Sequence, residues 1–272
     1  MTKNLNNSGL KSIVENYDLF FVDIWGVVHN GIYFFEDAIN ALNELDKLNK
    51  EYVLLTNAPR PNYSVKKFLI KMGISENISN KVYTSGQASL DYLLKNFKNK
   101  KFYHLGPLRD FDLFYLFQEN KVNEINKSEY IICTGLFDGH NQDLYYYKKI
   151  LLGEKNKKMI CTNPDLVVDR GNEREYCAGS IAKIFEEQGG QVEYFGKPYP
   201  NVYSQSINVK NKKILCVGDN LNTDIKGANI QNFSSLLISN GIHREELINK
   251  NQNDLFKEYN VNVDYIQDSL KW

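Results

Sequence analysis

The segment of residues 19–31 constrains the fold more than any other, because an uninterrupted apolar run ends there in the carboxylate of Asp23 and is followed by glycine. Short apolar runs bounded by Gly and Asn are typical of strands covered on both faces, as in a parallel sheet. Ligands of such sheets bind at the carboxyl ends of the strands. We therefore predict a reactive group at Asp23, against the commoner case of a strand-end Asp that only forms a turn.

Two further apolar runs, residues 51–55 and 213–217, also end in polar side chains. The polar residues that follow the two runs are Thr56, Asn57, Asp219 and Asp224. If the three runs are neighbouring parallel strands, these side chains converge with Asp23 at one edge of a sheet. Lys197, which lies between a glycine and a proline, is a candidate cation for the same edge.

A site of this kind suits a phosphate ester and a divalent cation. An anionic carboxylate that approaches an anionic phosphate is repelled, so a hard cation held by oxygen ligands, together with a lysine, must offset the charge. Donors such as Thr56 and Asn57 can bind the equatorial phosphate oxygens. An Asp nucleophile that forms an aspartyl-phosphate is an established covalent route, and Asp23 is the candidate here.

In their order along the chain, these residues resemble the four motifs of the haloacid dehalogenase-like hydrolases, most of which are phosphatases. Three short stretches, Thr56-Asn57, Thr162-Asn163-Pro164-Asp165 and Gly196-Lys197-Pro198, further resemble the class IIA, or NagD-type, phosphatases of that family. The resemblance covers nearly the whole chain. It implies an enzyme, a Mg²⁺-dependent phosphatase that hydrolyses small phosphorylated metabolites through an aspartyl-phosphate on Asp23.

The resemblance also implies a role for each polar residue. Asp23 would be the catalytic nucleophile, and Lys197 would take part in catalysis. The implied phosphate-binding residues are Thr56, Asn57 and Lys197. The implied Mg²⁺ ligands are Asp23, the backbone carbonyl of Trp25, Asp219 and Asp224.

A further group of residues lies where class IIA proteins carry a substrate-specificity loop. These residues are Asp165, Arg170, Arg174 and Tyr176. Arg170 or Arg174 could bind a second anionic group of the substrate through two parallel hydrogen bonds. A surface arginine is the alternative explanation for both.

The resemblance implies an α/β fold, with a Rossmann-like parallel sheet core that has helices on both faces and an inserted α/β cap domain. The chain itself supports the insertion, because the alternation of strands and helices restarts after the lysine-rich residues 95–101. We predict a core domain of residues 1–98 and 193–272 and a cap domain of residues 99–192. The predicted helices include residues 8–16, 111–120 and 175–187.

One position departs from the family pattern, which usually has Asp-x-Asp at the first motif, because the second Asp is Trp25 in this chain. In the usual pattern this acid protonates the leaving group and then activates water. An indole cannot exchange a proton at neutral pH, and general acid–base help is commonly worth about 10²–10⁴ in rate. We therefore expect slow hydrolysis of alkyl phosphates.

Three hypotheses remain open because of Trp25. The first is a phosphatase whose substrate has a good leaving group, or whose proton comes from another residue such as His29. The second is a weakly active or inactive sensor that binds a phosphometabolite, with Trp25 as a stacking platform. The third is phosphoryl transfer to an acceptor other than water. A dehalogenase is disfavoured, because Asp219 and Asp224 would have no metal to hold.

Composition argues against several other classes. Equal counts of 33 basic and 33 acidic residues give no global attraction to nucleic acid or anionic membranes, and no apolar run reaches membrane-spanning length. Four cysteines without a Cys-x-x-Cys pair predict buried free thiols in a reducing compartment. The N-terminus lacks a signal-peptide apolar core, so we expect a cytoplasmic protein. Its partner would be a small phosphorylated metabolite, and a homodimer formed through the cap is a further hypothesis.

Overall fold

The computed structural model describes residues 2–140, 142–170 and 173–272, but not the side chain of Arg170. The strands in these ranges are β1 Lys3–Asn4, β2 Leu19–Val22, β3 Glu51–Thr56, β4 Val82–Thr84, β5 Phe102–Leu105, β6 Lys121–Val122, β7 Tyr130–Cys133, β8 Lys158–Cys161, β9 Val167–Arg170, β10 Glu173–Tyr176, β11 Gln191–Tyr194, β12 Ile214–Gly218, β13 Ser234–Ile238 and β14 Tyr265–Gln267.

The helices fall between these strands. The α-helices are α1 Glu36–Lys47, α2 Asn62–Met72, α3 Glu76–Ser79, α4 Ser85–Asn96, α5 Leu144–Ile150, α6 Ala178–Glu187, α7 Asn201–Ser206, α8 Lys226–Ile230, α9 Arg244–Asn249 and α10 Gln252–Glu258. The 3₁₀ helices are Leu10–Ser12, Val14–Asn16, Leu108–Leu113, Tyr115–Asn120 and Ile125–Lys127, and Leu221–Ile225 forms a π-helical turn. Within the described ranges, no helix is both long and apolar enough to cross a lipid bilayer.

The main sheet is parallel throughout, with strand order β1-β14-β13-β12-β2-β3-β4. Strand β2 contributes to two apolar layers: Phe20 and Val22 pack with residues of α1 and α2, and Leu19 and Phe21 pack with residues of α7 and α8. Because both faces are covered, the strand is apolar along its whole length. The predicted α/β fold, a parallel sheet core with helices on both faces, is confirmed.

A second parallel sheet has strand order β11-β8-β7-β5-β6 and lies between residues 102 and 194. One of its faces packs with α5 and α6, and the other packs with α4 and the two 3₁₀ helices of residues 108–120. Helix α4 thus packs on the second sheet although we assigned it to the core domain. Strand β11 runs across the predicted boundary at residue 192. The domain boundaries stay predictions.

Two predicted helices, residues 8–16 and 111–120, correspond to pairs of short 3₁₀ helices rather than to continuous α-helices. In the second pair, the backbone of Phe117 is not helical, with φ −145° and ψ 28°. The rings of Phe114 and Phe117 pack edge-on against Phe102, with 5.2 and 5.5 Å between ring centroids. Burial of these aromatic rings, rather than a continuous ladder of helical hydrogen bonds, therefore sets the backbone path.

The predicted helix 175–187 is wrong at its start, because β9 and β10 form an antiparallel hairpin and α6 begins only at Ala178. In the hairpin, Arg174 lies opposite Asp169. The helix-favouring Glu and Arg side chains of β10 are overridden, since pairing with β9 satisfies the backbone groups of this strand. We call the two paired strands, residues 167–170 and 173–176, the cap hairpin.

The buried face of α6 provides a test of the second sheet's packing. Phe185 is fully buried there, so Phe185→Ala should lower the free energy of unfolding by about 3–5 kcal/mol. Urea denaturation followed by far-UV circular dichroism measures this change. Tyr145→Ala, on the exposed side of α5, should change the stability by less than about 0.5 kcal/mol. Equal urea midpoints for Phe185→Ala and the parent protein would contradict the burial of Phe185 against the second sheet.

Candidate active site

Three neighbouring strands bring the predicted residues to one edge of the main sheet. Strands β12, β2 and β3 are parallel, with Val217 beside Val22 and Val22 beside Leu54. Asp23 directly follows β2, and its N–H donates to the carbonyl of Val217 at 2.8 Å. Side chains that follow the three strands therefore meet at the carboxyl edge of the sheet, where ligands of such sheets bind.

Three of the predicted carboxylates form a compact group at this edge. Asp23, Asp219 and Asp224 each offer one oxygen atom, and these atoms lie within 4.8 Å of one another. Their exposed fractions are only 8%, 7% and 3%. Oxygen ligands are the type that Mg²⁺ prefers, and buried charges are costly unless they are paired or bind a metal. The three residues therefore fit a divalent cation.

Backbone groups fix the two carboxylates that follow β12. The N–H of Ile242 donates to Asp219 Oδ2 at 2.9 Å, and the N–H of Asn220 donates to Asp224 Oδ2 at 3.1 Å. A side chain at Gly218 would place its Cβ 2.1 Å from Cγ of Asp224. Glycine is therefore required at this position if the Asp224 carboxylate is to approach the strand end.

Lys197 supplies positive charge to the group. Its ammonium donates to Asp23 Oδ1 at 2.5 Å and to Asp224 Oδ1 at 2.7 Å, and the side chain is almost fully buried. Burial by itself lowers the pKa of Lys197, but the charges of Asp224 and Asp23 outweigh burial and raise the pKa above its usual range. The ammonium therefore stays protonated at neutral pH.

One ammonium does not offset three carboxylates. Burial raises the pKa of Asp23 to about 7. The charge of Lys197 opposes this rise, and the charge of Asp224 adds to it. Burial and the neighbouring carboxylates raise the pKa of Asp219 well above its usual range. A divalent cation at this group would favour the ionised forms of Asp23 and Asp219. This charge deficit supports a divalent cation independently of the donor geometry.

The side chain of Asn57 connects the two sheets. Its Oδ1 accepts from the N–H of Lys197 at 2.7 Å, and its Nδ2 donates to the carbonyl of Lys197 and to Asp165 Oδ1, both at 3.0 Å. The hydroxyl of Thr56 accepts from the N–H of Ala58 at 3.2 Å and forms a local turn. The Asn57 side chain thus positions Lys197 and Asp165, and the phosphate-binding roles of Thr56 and Asn57 stay predictions.

Two cavities adjoin at the carboxyl edge. The first, of about 510 Å³, is lined by the three carboxylates and Lys197. The second, of about 460 Å³, has aromatic walls that include His29, Phe68 and Tyr176. Trp25, Thr56, Asn57, Asp165 and Val168 line both cavities. A ligand that reaches from one cavity into the other must pass these shared residues.

The cap hairpin contacts the main-sheet loops at two points. Nε1 of Trp25 donates to the carbonyl of Asp169 at 2.6 Å, and Nη2 of Arg174 donates to the carbonyl of Ile242 at 3.0 Å. Within the hairpin, Arg174 donates to both carboxylate oxygens of Asp169, at 2.7 and 3.0 Å. Asp169 and Ile242 could not be predicted from the sequence, because these contacts join distant positions and carry no local pattern.

The four predicted specificity residues have different positions. Asp165 lines both cavities, Arg174 lines the first and Tyr176 lines the second. The guanidinium of Arg174 is engaged by Asp169 and by a backbone carbonyl. The side chain of Arg170 lies outside the described residues. Their roles in substrate choice stay predictions, as does the role of the Trp25 carbonyl as a metal ligand.

His29 is not suited to donate a proton to a leaving group. Its ring is buried, and Nδ1 accepts from the N–H of Gly31 at 2.9 Å. Burial lowers the pKa of His29 to about 4. The imidazole is therefore neutral near pH 7, and a neutral imidazole is a very weak acid. The hypothesis that His29 replaces the missing acid is not supported.

Two family models match the chain. One, described as haloacid dehalogenase-like hydrolase, matches residues 20–114, and the other, described as HAD-hydrolase-like, matches residues 194–271. Together they span more than half of the chain. These two segments contain the three carboxylates and Lys197, so the match includes the residues that form the candidate site.

Known proteins are similar along nearly the whole chain. The chain is 25% identical to the 4-nitrophenylphosphatase of Schizosaccharomyces pombe, over 96% of this chain and 94% of that protein. It is 23% identical to phosphoglycolate phosphatase 2 of Arabidopsis thaliana, over 94% of this chain and 93% of that protein. The crystal structure of a haloacid dehalogenase-like hydrolase from Brucella suis superimposes with a TM-score of 0.82 and 29% identity, over 96% of this chain and 98% of that one. The similarity therefore includes the second sheet.

The Trp25 contact predicts a measurable change in the cap hairpin. Trp25→Phe keeps an aromatic ring but removes the Nε1 donor, and one hydrogen bond contributes about 0.5–1.5 kcal/mol. Amide hydrogen exchange in the cap hairpin should therefore become roughly two- to tenfold faster. Trp272→Phe, which changes a tryptophan packed on the main-sheet core, is the control. Unchanged exchange in the hairpin of Trp25→Phe would contradict the predicted effect.

Proposed function

The chain belongs to the haloacid dehalogenase-like hydrolases, and on this premise we propose that it is a Mg²⁺-dependent phosphatase of the class IIA, or NagD, type. It hydrolyses phosphoric monoesters of small metabolites through an aspartyl-phosphate on Asp23. The observation that carries the proposal is the buried Asp23 carboxylate, held 2.5 Å from the Lys197 ammonium among two further acids. The relatives named as 4-nitrophenylphosphatase and phosphoglycolate phosphatase support the same reaction class.

The side chains suggest how the reaction proceeds. A carboxylate oxygen of Asp23 bonds to phosphorus as the ester P–O bond breaks and the alcohol part of the substrate departs. The Lys197 ammonium binds phosphoryl oxygens and favours the ionised nucleophile. Asp23, Asp219 and Asp224 would hold Mg²⁺, which when bound reduces the repulsion between nucleophile and phosphate. Water then attacks phosphorus, the bond to Asp23 breaks, and phosphate leaves.

The cap would enclose the substrate from the other side. The phosphoryl group fits the first cavity, which contains the carboxylates, and the organic part of the substrate fits the second, aromatic cavity. Enclosure of this kind excludes bulk water and strengthens electrostatic interactions. A cytoplasmic location belongs to the same proposal, and the four free, buried cysteines support a reducing compartment. The homodimer through the cap also stays a prediction.

One observation favours the sensor hypothesis. Trp25 occupies the position where the family usually has an acid, and its indole N–H donates a hydrogen bond to the carbonyl of Asp169. A sensor would bind phosphate esters without releasing phosphate. A screen of phosphorylated metabolites in the presence of Mg²⁺, with both binding and released phosphate measured, separates the two functions. Turnover supports the phosphatase, and saturable binding without turnover supports the sensor.

Asp23→Asn tests the nucleophile. The neutral amide cannot attack phosphorus, so turnover of 4-nitrophenyl phosphate should fall by roughly 10³-fold or more, with an unchanged circular dichroism spectrum. Asp37→Asn, on the exposed face of α1, should keep the parent rate. Turnover in Asp23→Asn within about tenfold of the parent enzyme would refute the assignment.

Asp219→Asn tests the metal site. Removing one charged oxygen ligand should weaken Mg²⁺ binding by roughly tenfold or more, as measured by isothermal titration calorimetry. The same Asp37→Asn variant serves as the control and should bind Mg²⁺ like the parent protein. Equal Mg²⁺ affinity in Asp219→Asn and the parent protein would show that the cation, if bound, lies elsewhere.

A further inference from the structure

We infer that Asp165, a residue of the cap, is the general acid and general base of the reaction, in place of the acid that Trp25 replaces. The inference rests on the proposed phosphatase function. It concerns the proton transfers of the reaction, for which the core residues provide no acid or base.

Trp25 cannot take over the proton transfer. Its indole N–H is committed to the carbonyl of Asp169 in the cap hairpin, and an indole does not exchange its proton at neutral pH. The side chain at this position therefore holds the cap against the core. The group that protonates the leaving oxygen must come from another part of the cavity.

Asp165 lies at the junction of the two cavities. It follows β8, so it stands beyond the carboxyl edge of the second sheet, as Asp23 stands beyond the carboxyl edge of the main sheet. Asn57 donates to Asp165 Oδ1 and to the carbonyl of Lys197, both at 3.0 Å, and Lys197 reaches Asp23 at 2.5 Å. A short chain of contacts thus fixes the cap carboxyl group relative to the nucleophile.

The direction of phosphoryl transfer places the leaving oxygen on the cap side. In an in-line displacement, the attacking and leaving oxygens lie on opposite sides of phosphorus. Asp23 attacks from the core, so the ester oxygen departs away from the main sheet, toward the junction that Asp165 lines. A general acid is useful only within hydrogen-bond reach of that oxygen, and Asp165 is on the required side.

The surroundings of Asp165 let it hold and release a proton near neutral pH. Burial raises its pKa to about 6, the charge of Lys197 and the Asn57 hydrogen bond oppose the rise, and the charge of Asp224 adds to it. The other ionisable groups that interact with Asp165 are Asp23, Cys161 and Cys177. A pKa close to the working pH suits a group that must act first as an acid and then as a base.

Other acids in the first cavity are less suitable, among the residues that the structure describes. Asp169 is paired with Arg174 and is partly exposed. Glu245 lies on the exposed side of α9. Asp219 and Asp224 belong to the proposed metal site. Apart from the exposed Glu245, Asp165 is the carboxyl group of the described residues that lines the first cavity and is not assigned to the nucleophile, the metal or an arginine.

Asp165 transfers a proton in both steps of the reaction. As a carboxylate oxygen of Asp23 bonds to phosphorus, the ester P–O bond breaks, and the proton of the neutral Asp165 carboxyl group passes to the leaving oxygen, which departs as an alcohol. The Asp165 carboxylate then accepts a proton from water as the water oxygen bonds to phosphorus. The bond between phosphorus and Asp23 breaks, phosphate leaves, and Asp165 carries a proton again.

The test compares two esters of similar shape, benzyl phosphate and 4-nitrophenyl phosphate, in the parent enzyme and in Asp165→Asn. The amide keeps the size of the side chain but cannot exchange a proton. For benzyl phosphate, whose leaving group is a poor one, kcat should fall by roughly 10²–10⁴. The first turnover of 4-nitrophenyl phosphate should fall by less than about tenfold, because nitrophenolate leaves without protonation. A burst of about one nitrophenolate per active site should follow from slow hydrolysis of the aspartyl-phosphate.

Two further variants complete the test. Asp143→Asn makes the same substitution at the N-cap of α5, where Asn caps equally well, and should match the parent enzyme with both esters. Asp165→Glu retains a carboxyl group and should recover part of the benzyl phosphate activity, which a purely structural role would not predict. Equal losses for both esters without a burst, or no loss in Asp165→Asn, would overturn the inference. Turnover by Asp23→Asn, or no turnover of either ester by the parent protein, would instead refute the proposed phosphatase.

Discussion

The ion pair network around Lys197 is the interaction on which the rest of the site depends. Three buried acids at one strand edge repel one another, and a single buried ammonium shared by Asp23 and Asp224 holds two of them in place. Removing the ammonium would leave buried carboxylates without a compensating charge, which is strongly destabilising. The side chain of Asn57, bonded to the N–H and the carbonyl of Lys197, fixes the backbone that carries the ammonium. The ammonium offsets only part of the negative charge of the three acids, which suits a bound divalent cation.

The contacts of the cap hairpin link this network to the second sheet. Arg174 donates a hydrogen bond to the carbonyl of Ile242. The N–H of Ile242 in turn donates to the Asp219 carboxylate. A displacement of the hairpin therefore acts on the backbone that positions one of the three carboxylates. The indole of Trp25 makes the second link, beside the nucleophile. Enclosure of the substrate and the geometry of the proposed metal site are thus connected through backbone groups.

Much of this arrangement could be predicted from the sequence, because buried parallel strands are apolar and end in conspicuous polar residues. Asp23 and Asp219 were found in this way, and the main sheet places them side by side. The cap hairpin could not be found, because the local helix preference of Glu and Arg in β10 is overridden by pairing with β9. The bond from Trp25 to Asp169 joins residues 144 positions apart and leaves no local pattern. Where tertiary contacts outweigh local preference, sequence periodicity gives the wrong element.

The replacement at Trp25 changes what the cap contributes to catalysis. With an acid at that position, the core contains both the nucleophile and the proton donor, and the cap has only to bind the organic part of the substrate. In this chain Trp25 is hydrogen-bonded to the cap hairpin. If Asp165 is the acid, the nucleophile comes from the core and the proton comes from the cap. Proton transfer then requires both sheets to enclose the same ester, because a donor outside hydrogen-bond reach contributes nothing. Substrate selection by the cap and the chemical step would become inseparable, so binding energy from the organic part of the ester would also align the acid.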